Sequence, residues 1–270
     1  MLKVVLIAYA LGVACGSALA IVFGAQMAAS MADEHHEGMK SDALELKKDQ
    51  GICLVDVLNV REGPTTDSRV VTQMKLCAIA TMIDYPNHDV GDWVQVQFQE
   101  FIGWVYRQYF SPVSKQDLCI GFTMAAEGGY STIREDPGNW THGMVGHGQL
   151  KGTKFGISAF AYPDLNIEDL TRAEAYQIYL DDWYKPLGID GVPWPMALYR
   201  FDTAVNIGKT GEAYLFGQYM QGEDEYLLHR IRRHQAAIDS PFTQAWATRV
   251  YRLRTIGKAF NLSEGSGDDL

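Results

Sequence analysis

Apolar and polar positions change rhythm three times along this chain. From Val4 to Ala32 no charged residue interrupts a mostly apolar run, long enough for a helix to cross a bilayer. Within it Ala8, Gly12, Gly16, Ala20, Gly24 and Ala28 recur at every fourth position and fall on one helix face. Asp33 to Gln50 is charged and poor in large apolar groups, as in a linker or a short exposed helix. From Ile52 the rhythm becomes that of strands: Ile52–Arg61, Val70–Asp84, then Trp93–Phe98, where Val94, Val96 and Phe98 alternate with Gln95 and Gln97, and Ile102–Tyr106 as the last. Gly63-Pro64, Pro86-Asn87 and Gly91-Asp92 mark the turns. Short strands between such turns predict a small barrel over residues 51–113.

The third rhythm is helical. Ser114 and Asp117 stand in a capping relation ahead of an apolar stretch, so a helix is expected up to Glu127, stopped by Gly128-Gly129. Thr171 and Glu174 repeat the relation, and Tyr176, Tyr179, Leu180 and Trp183 share a face of the helix that Pro186 ends. Further helices are expected over 195–207, 211–221, 223–238 and 241–260, the last opened by Ser240-Pro241. Between the first two helices lies an irregular, glycine-rich stretch, Gly128 to Phe160, the kind of loop on a rigid scaffold that carries function. The predicted fold class is multidomain α+β. It comprises a membrane helix over 1–32, a linker over 33–50, an all-β unit over 51–113, a mainly helical unit over 114–260 and a flexible tail over 261–270.

Charge and cysteines narrow the setting. A formal net charge of −10 excludes nucleic acid as a partner held by charge. Lys3 precedes the apolar run and Asp33, Glu34 and Glu37 follow it, so Met1 is expected in the cytoplasm and the rest outside. Three forms of the segment stay open: a signal peptide cleaved after Ser30-Met31-Ala32, a helix that pairs through its small face, and a weakly held anchor that later leaves the membrane. Cys53, Cys77 and Cys119 would then meet an oxidising compartment, and with Cys15 they allow three complete disulfide pairings.

Two acids stand out. Glu127 ends its helix, where the carbonyl ends disfavour an ionised carboxylate, as suits a group that must deliver a proton. Asp136 follows within the loop. Paired carboxylates across a cleft are the equipment of glycoside hydrolysis, although spacing alone also fits two surface acids.

The letters around these acids go further. "EGGYS" at 127–131, "DPG" at 136–138, "GTKFGIS" at 152–158, "LTRAEAYQIYLDDWY" at 170–184, "FDTAVNIG" at 201–208 and "FTQAWATRVYRL" at 242–253 resemble glycoside hydrolase family 108 in the same order. This is a lysozyme-like family of phage and bacterial muramidases. "LNVREGP" at 58–64, "DWVQV" at 92–96 and "GWVYRQYF" at 103–110 resemble the bacterial SH3-like domain. The resemblance implies a peptidoglycan hydrolase with Glu127 as its catalytic acid, Asp136 holding the attacking water, and no metal or cofactor. A threonine shares the water. Thr141 keeps the family's distance from the aspartate and Thr153 keeps its local context, which favours Thr153. The family often has Asn where Lys154 stands. An insertion over about Trp140–Leu150 brings His142 and His147, a poor ligand set in a glycine-rich loop. It also brings Trp140, a lid or sugar-stacking candidate beside Tyr130. Trp93 and Trp104, with Tyr109, line a wall-binding groove or fill the barrel core. Peptidoglycan and the membrane are the expected partners, and a phage endolysin the expected role. The rivals are a lytic transglycosylase, a bacterial wall-remodelling enzyme and a non-catalytic wall-binding protein.

Overall fold

The computed structural model describes residues 47–83, 89–218, 222–235 and 243–260. The 1–32 segment, Cys15, the Pro86-Asn87 turn, the Ser240-Pro241 start and the 261–270 tail lie outside them. Among the described residues no helix is long and apolar enough to cross a membrane. They form two compact units, Asp49–Ile189 and the residues from Asp190 on, so the contacts draw a seam within the stretch 114–260.

The first unit opens with an antiparallel sheet of eight short strands. These are β1 (Gln50–Cys53), β2 (Val57–Arg61), β3 (Val70–Lys75), β4 (Ile79–Met82), β5 (Asp89–Val90), β6 (Trp93–Phe98), β7 (Phe101–Tyr106) and β8 (Phe110–Pro112). They pair in the order β3-β2-β7-β6-β4-β1-β8, with β5 on β6. Alternation decides which side chains go inward: Val60, Met74, Met82, Val94, Val96 and Val105 share one core with Cys53 and Phe110.

Three strand boundaries differ from the expected ones. Ile52–Arg61 is two strands, because the chain changes partners at Leu54–Asp56: β1 lies between β4 and β8, whereas β2 lies between β3 and β7. Val70–Asp84 is also two, because a turn closes from Ala78 N–H to the Lys75 carbonyl at 2.9 Å. Ile102–Tyr106 is not the last strand, because the chain turns once at Arg107–Tyr109 and adds β8 beside β1.

The turn at Lys75–Ala78 brings two cysteines together. Cys77 has a positive φ of 64°, a conformation glycine adopts more easily. Its N–H donates to the Cys53 carbonyl (3.0 Å), and Cys53 N–H donates to the Ala78 carbonyl (3.0 Å), so Cys77 and Ala78 both oppose Cys53. This is a β-bulge. Burial and the neighbouring Cys53 thiol push the Cys77 thiol up to about 12. Among the described residues no disulfide is formed.

Helix α1 (Lys115–Glu127) follows β8 and starts as expected, with the Ser114 hydroxyl accepting from Asp117 N–H at 3.0 Å. Leu118 through Met124 are all buried, so the helix is enclosed on every side. Helix α2 (Arg172–Tyr179) carries the complete Thr171–Glu174 capping box and runs into a wider π-helical turn at Leu180–Tyr184. Tyr176 ties α2 to α1: its hydroxyl donates to Asp117 Oδ1 at 2.8 Å and accepts from Gln116 Nε2 at 2.9 Å.

The second unit holds α3 (Met196–Ile207), α4 (Lys209–Gln218), α5 (Glu223–Gln235) and α6 (Thr243–Ala259). Its centre is ionic. Asp202 of α3 is fully buried between Arg249 (2.6 Å) and Arg230 (2.7 Å), and Arg230 Nη1 also donates to Thr203 Oγ1 at 3.0 Å. Burial alone would raise the Asp202 carboxyl, but the two guanidinium groups outweigh it and hold the carboxyl below its usual range. "FDTAVNIG" thus supplies the acidic side of a buried ion network.

Candidate active site

Glu127 is the last residue of α1 and is half-buried. Gly128 follows with φ 83° and turns the chain out of the helix, and Ser131 then pairs with Thr153 through two backbone bonds of 2.8 and 2.9 Å. Thr153 begins a small hairpin of β9 (Thr153–Lys154) and β10 (Ile157–Ser158). The tip of this hairpin sits on the helix end: Phe155 N–H donates to the Gly128 carbonyl at 3.2 Å, and the Tyr179 hydroxyl donates to the Phe155 carbonyl at 2.8 Å. A β-carbon on Gly156 would fall 2.9 Å from Cγ of Glu127. Helix α1, the hairpin and Tyr179 of α2 therefore converge on the acid.

Asp136 opens a short helical turn at Pro137–Asn139 and is exposed. Its Oδ1 accepts from Gly138 N–H at 2.8 Å, which fixes the side chain and leaves other lone pairs for a water. The loop holding Asp136 and the strand holding Thr153 are joined by Asn139. This side chain is fully buried; its Nδ2 donates to the Ile133 carbonyl at 2.9 Å, and its Oδ1 accepts from the Thr153 hydroxyl at 2.7 Å. The Asn139 carbonyl accepts from both Lys151 N–H and Gly152 N–H at 3.1 Å.

The two threonines have different tasks. Thr141 belongs to the insertion: its N–H donates to the Gln149 carbonyl at 3.0 Å and its hydroxyl accepts from Gln149 N–H at 2.9 Å. With the bridge between Trp140 and Leu150 these bonds close the insertion into a loop of its own. Only Thr153 is linked to both the Glu127 helix end and the Asp136 loop.

The expected sugar contacts separate. Tyr130 is exposed beside the hairpin, its hydroxyl donating to the Lys151 carbonyl at 3.3 Å. Trp140 is half-buried and its indole N–H donates to the Arg134 carbonyl at 2.8 Å, tying the insertion to the Asp136 loop. Trp93 and Trp104 belong to the sheet instead. They lie on the face opposite Val94 and Val105, half-buried and outside the core, where Trp93 packs edge-on against Tyr106 with ring centroids 5.4 Å apart. Tyr109 touches the core. Lys154, the departure from the family pattern, donates to the Glu168 carbonyl at 2.6 Å.

Comparison with protein families separates the sheet from the loops around Glu127. Residues 56–111 match the bacterial SH3 domain, and residues 120–208 match glycosyl hydrolase 108. The chain carries a glycosyl hydrolase 108 domain, which makes it a glycoside hydrolase, and a bacterial SH3 domain. No curated protein matches it. The glycosyl hydrolase 108 match spans Glu127, Asp136 and Thr153 and identifies a lysozyme-type enzyme acting on peptidoglycan.

Within the glycosyl hydrolase 108 segment, three residues of structural weight escape sequence reading. Asn139 follows "DPG" without a pattern of its own. Gly156 hides within "GTKFGIS", and Tyr179 reads as core. It is buried, yet its hydroxyl holds the hairpin tip. The one available signal was the glycine two residues before Ser158, a position that tolerates close approach.

Proposed function

We propose that this enzyme hydrolyses the bond between N-acetylmuramic acid and N-acetylglucosamine, with Glu127 as the acid and Asp136 with Thr153 as the holders of the water. The observation that carries this reading is the docking of the Thr153 hairpin onto the helix end that bears Glu127, while Asn139 binds the same threonine to the Asp136 loop.

The chemistry follows from those roles. The Glu127 carboxyl donates its proton to the glycosidic oxygen as the bond to the anomeric carbon breaks, and positive charge develops on the sugar. A water held by Asp136 and Thr153 adds its oxygen to the anomeric carbon. Its proton passes to the Asp136 carboxylate, and exchange with solvent then restores both acids. Positioning of the water replaces a bimolecular encounter by a directed one.

Digestion of purified sacculi, with mass analysis of the released muropeptides, tests this. Wild type is expected to release fragments ending in reducing N-acetylmuramic acid, and Glu127→Gln to release none while keeping its fold. Fragments ending in 1,6-anhydro sugar identify a transglycosylase and overturn the water-holding roles.

We further propose a phage endolysin, anchored in the host inner membrane by the uncharged Val4–Ala32 segment with the hydrolase in the periplasm or released into it. The charge asymmetry around that segment supports the orientation. In cells expressing the full chain, protease added to spheroplasts should remove the hydrolase; full protection rejects the placement.

A further inference from the structure

Asn139 is enclosed completely, and each of its polar atoms has a partner. Its amide cannot turn over. The Ile133 carbonyl offers only lone pairs, so Nδ2 must face it at 2.9 Å, and Oδ1 is left facing Thr153. The Thr153 hydroxyl, 2.7 Å away, must then spend its single proton on Asn139. What remains on the Thr153 oxygen is lone pairs, and these can only accept.

We propose that Asn139 is the positioning residue of the water site: by taking the Thr153 proton it obliges the attacking water to donate to Thr153. This rests on the water-holding roles given above to Asp136 and Thr153. A water that donates one hydrogen to Thr153 and the other to the Asp136 carboxylate has its lone pairs turned away from both and toward the sugar. Without Asn139 the hydroxyl can rotate and donate to the water, which consumes a lone pair needed for attack. The same side chain sets the spacing of the two holders. Its backbone N–H donates to the Asp136 carbonyl at 3.2 Å, its amide reaches the Ile133 carbonyl in the same loop, and its Oδ1 reaches Thr153 across the gap.

Asn139→Asp separates this role from packing, since it changes the shape of the side chain little. As a carboxylate it turns lone pairs on the Ile133 carbonyl, and that repulsion draws it off the Thr153 hydroxyl, which is then free to rotate toward the water. As a neutral acid it donates to Ile133 and restores the native pattern. Initial rates on saturating sacculi should therefore be about tenfold below wild type at neutral pH, with the variant-to-wild-type ratio recovering as pH falls. The KM should hold. Thr153→Val should lose on the order of a hundredfold in kcat, and adding Asn139→Asp to it should cost little more, because residues acting through one another are not additive. Losses that multiply in the double variant, or a ratio flat with pH, overturn the proposal. Full activity of Thr153→Val overturns the water-holding reading beneath it, and the proposal falls with that reading. Thermal melts of all three variants accompany the kinetics; a kcat loss that tracks Tm alone rejects positioning.

Discussion

Gly156 lies flat against the side chain of Glu127: an added β-carbon would sit 3.1 Å from Cβ and 2.9 Å from Cγ of the acid, with the Tyr179 hydroxyl closer still. Its φ of 81° is also one that side chains resist. The missing side chain lets the hairpin close over the acid. Gly156→Ala should therefore push Glu127 or the hairpin aside and cost on the order of a hundredfold in sacculus digestion, the scale of an ångström's misplacement. Wild-type activity in that variant would break the link between the hairpin and the acid.

The division of labour between the threonines gives a second expectation. Thr153→Val removes a hydroxyl bonded to buried Asn139 and should abolish most activity. Thr141→Val removes only the acceptor for Gln149 N–H within the exposed insertion and should leave the rate within about twofold, with a stability loss of about 1 kcal/mol. Turbidity assays on both variants decide it, and the reverse order would move the catalytic hydroxyl to the insertion.

Among the cysteine pairings that sequence leaves open, the turn at Cys77 favours one. Cys53 and Cys77 oppose each other across the bulge, whereas Cys119 is buried in α1. Refolding with oxidised glutathione should yield a Cys53–Cys77 disulfide, the two thiols reducing one glutathione disulfide to two glutathione thiols. Once the reduced protein is folded, the thiol held up at about 12 should react slowly with alkylating reagents and quickly in urea. A peptide map linking Cys119 to either partner contradicts this.

The ionic centre of the second unit predicts sensitivity to acid. The Asp202 carboxyl lies below its usual range in the fold, so its contribution is complete above the unfolded value, about pH 4. It fades as pH drops through the lower folded value. Asp202→Asn leaves Arg230 and Arg249 buried without their counter-charge and should cost about 3–5 kcal/mol at pH 7. The gap from wild type should narrow below about pH 4 in chemical denaturation. A gap unchanged by acid would deny the carboxyl that role.

Much of the architecture could be read from the chain because its signals are local. Ser114 with Asp117 and Thr171 with Glu174 cap the helices they announce, and the Trp93–Phe98 alternation becomes a strand of the same bounds. The breaks at Leu54–Asp56 and at Cys77 could not be read, since both follow from which strands become neighbours. At the candidate site, the position of Glu127 at a helix end was legible from the glycines that follow it. The tie of Thr153 to the Asp136 loop could not be read, because it runs through Asn139, whose partners Ile133 and Thr153 lie 6 and 14 residues away and belong to no periodic pattern. "FDTAVNIG" carried family likeness without its reason, because the arginines that use it come from α5 and α6.

The insertion leaves and returns through one bridge, Trp140 to Leu150, and binds mainly itself in between. Its tip shows Met144 and Val145 to solvent. Such a loop is a detour whose ends are pinned at Trp140 and Leu150 and whose Gly143 lies against the Phe160 ring, while its tip faces solvent. A peptide grafted between Met144 and Gly146 would lengthen this detour at its exposed tip while the bridge between Trp140 and Leu150 keeps the frame around Glu127 in register.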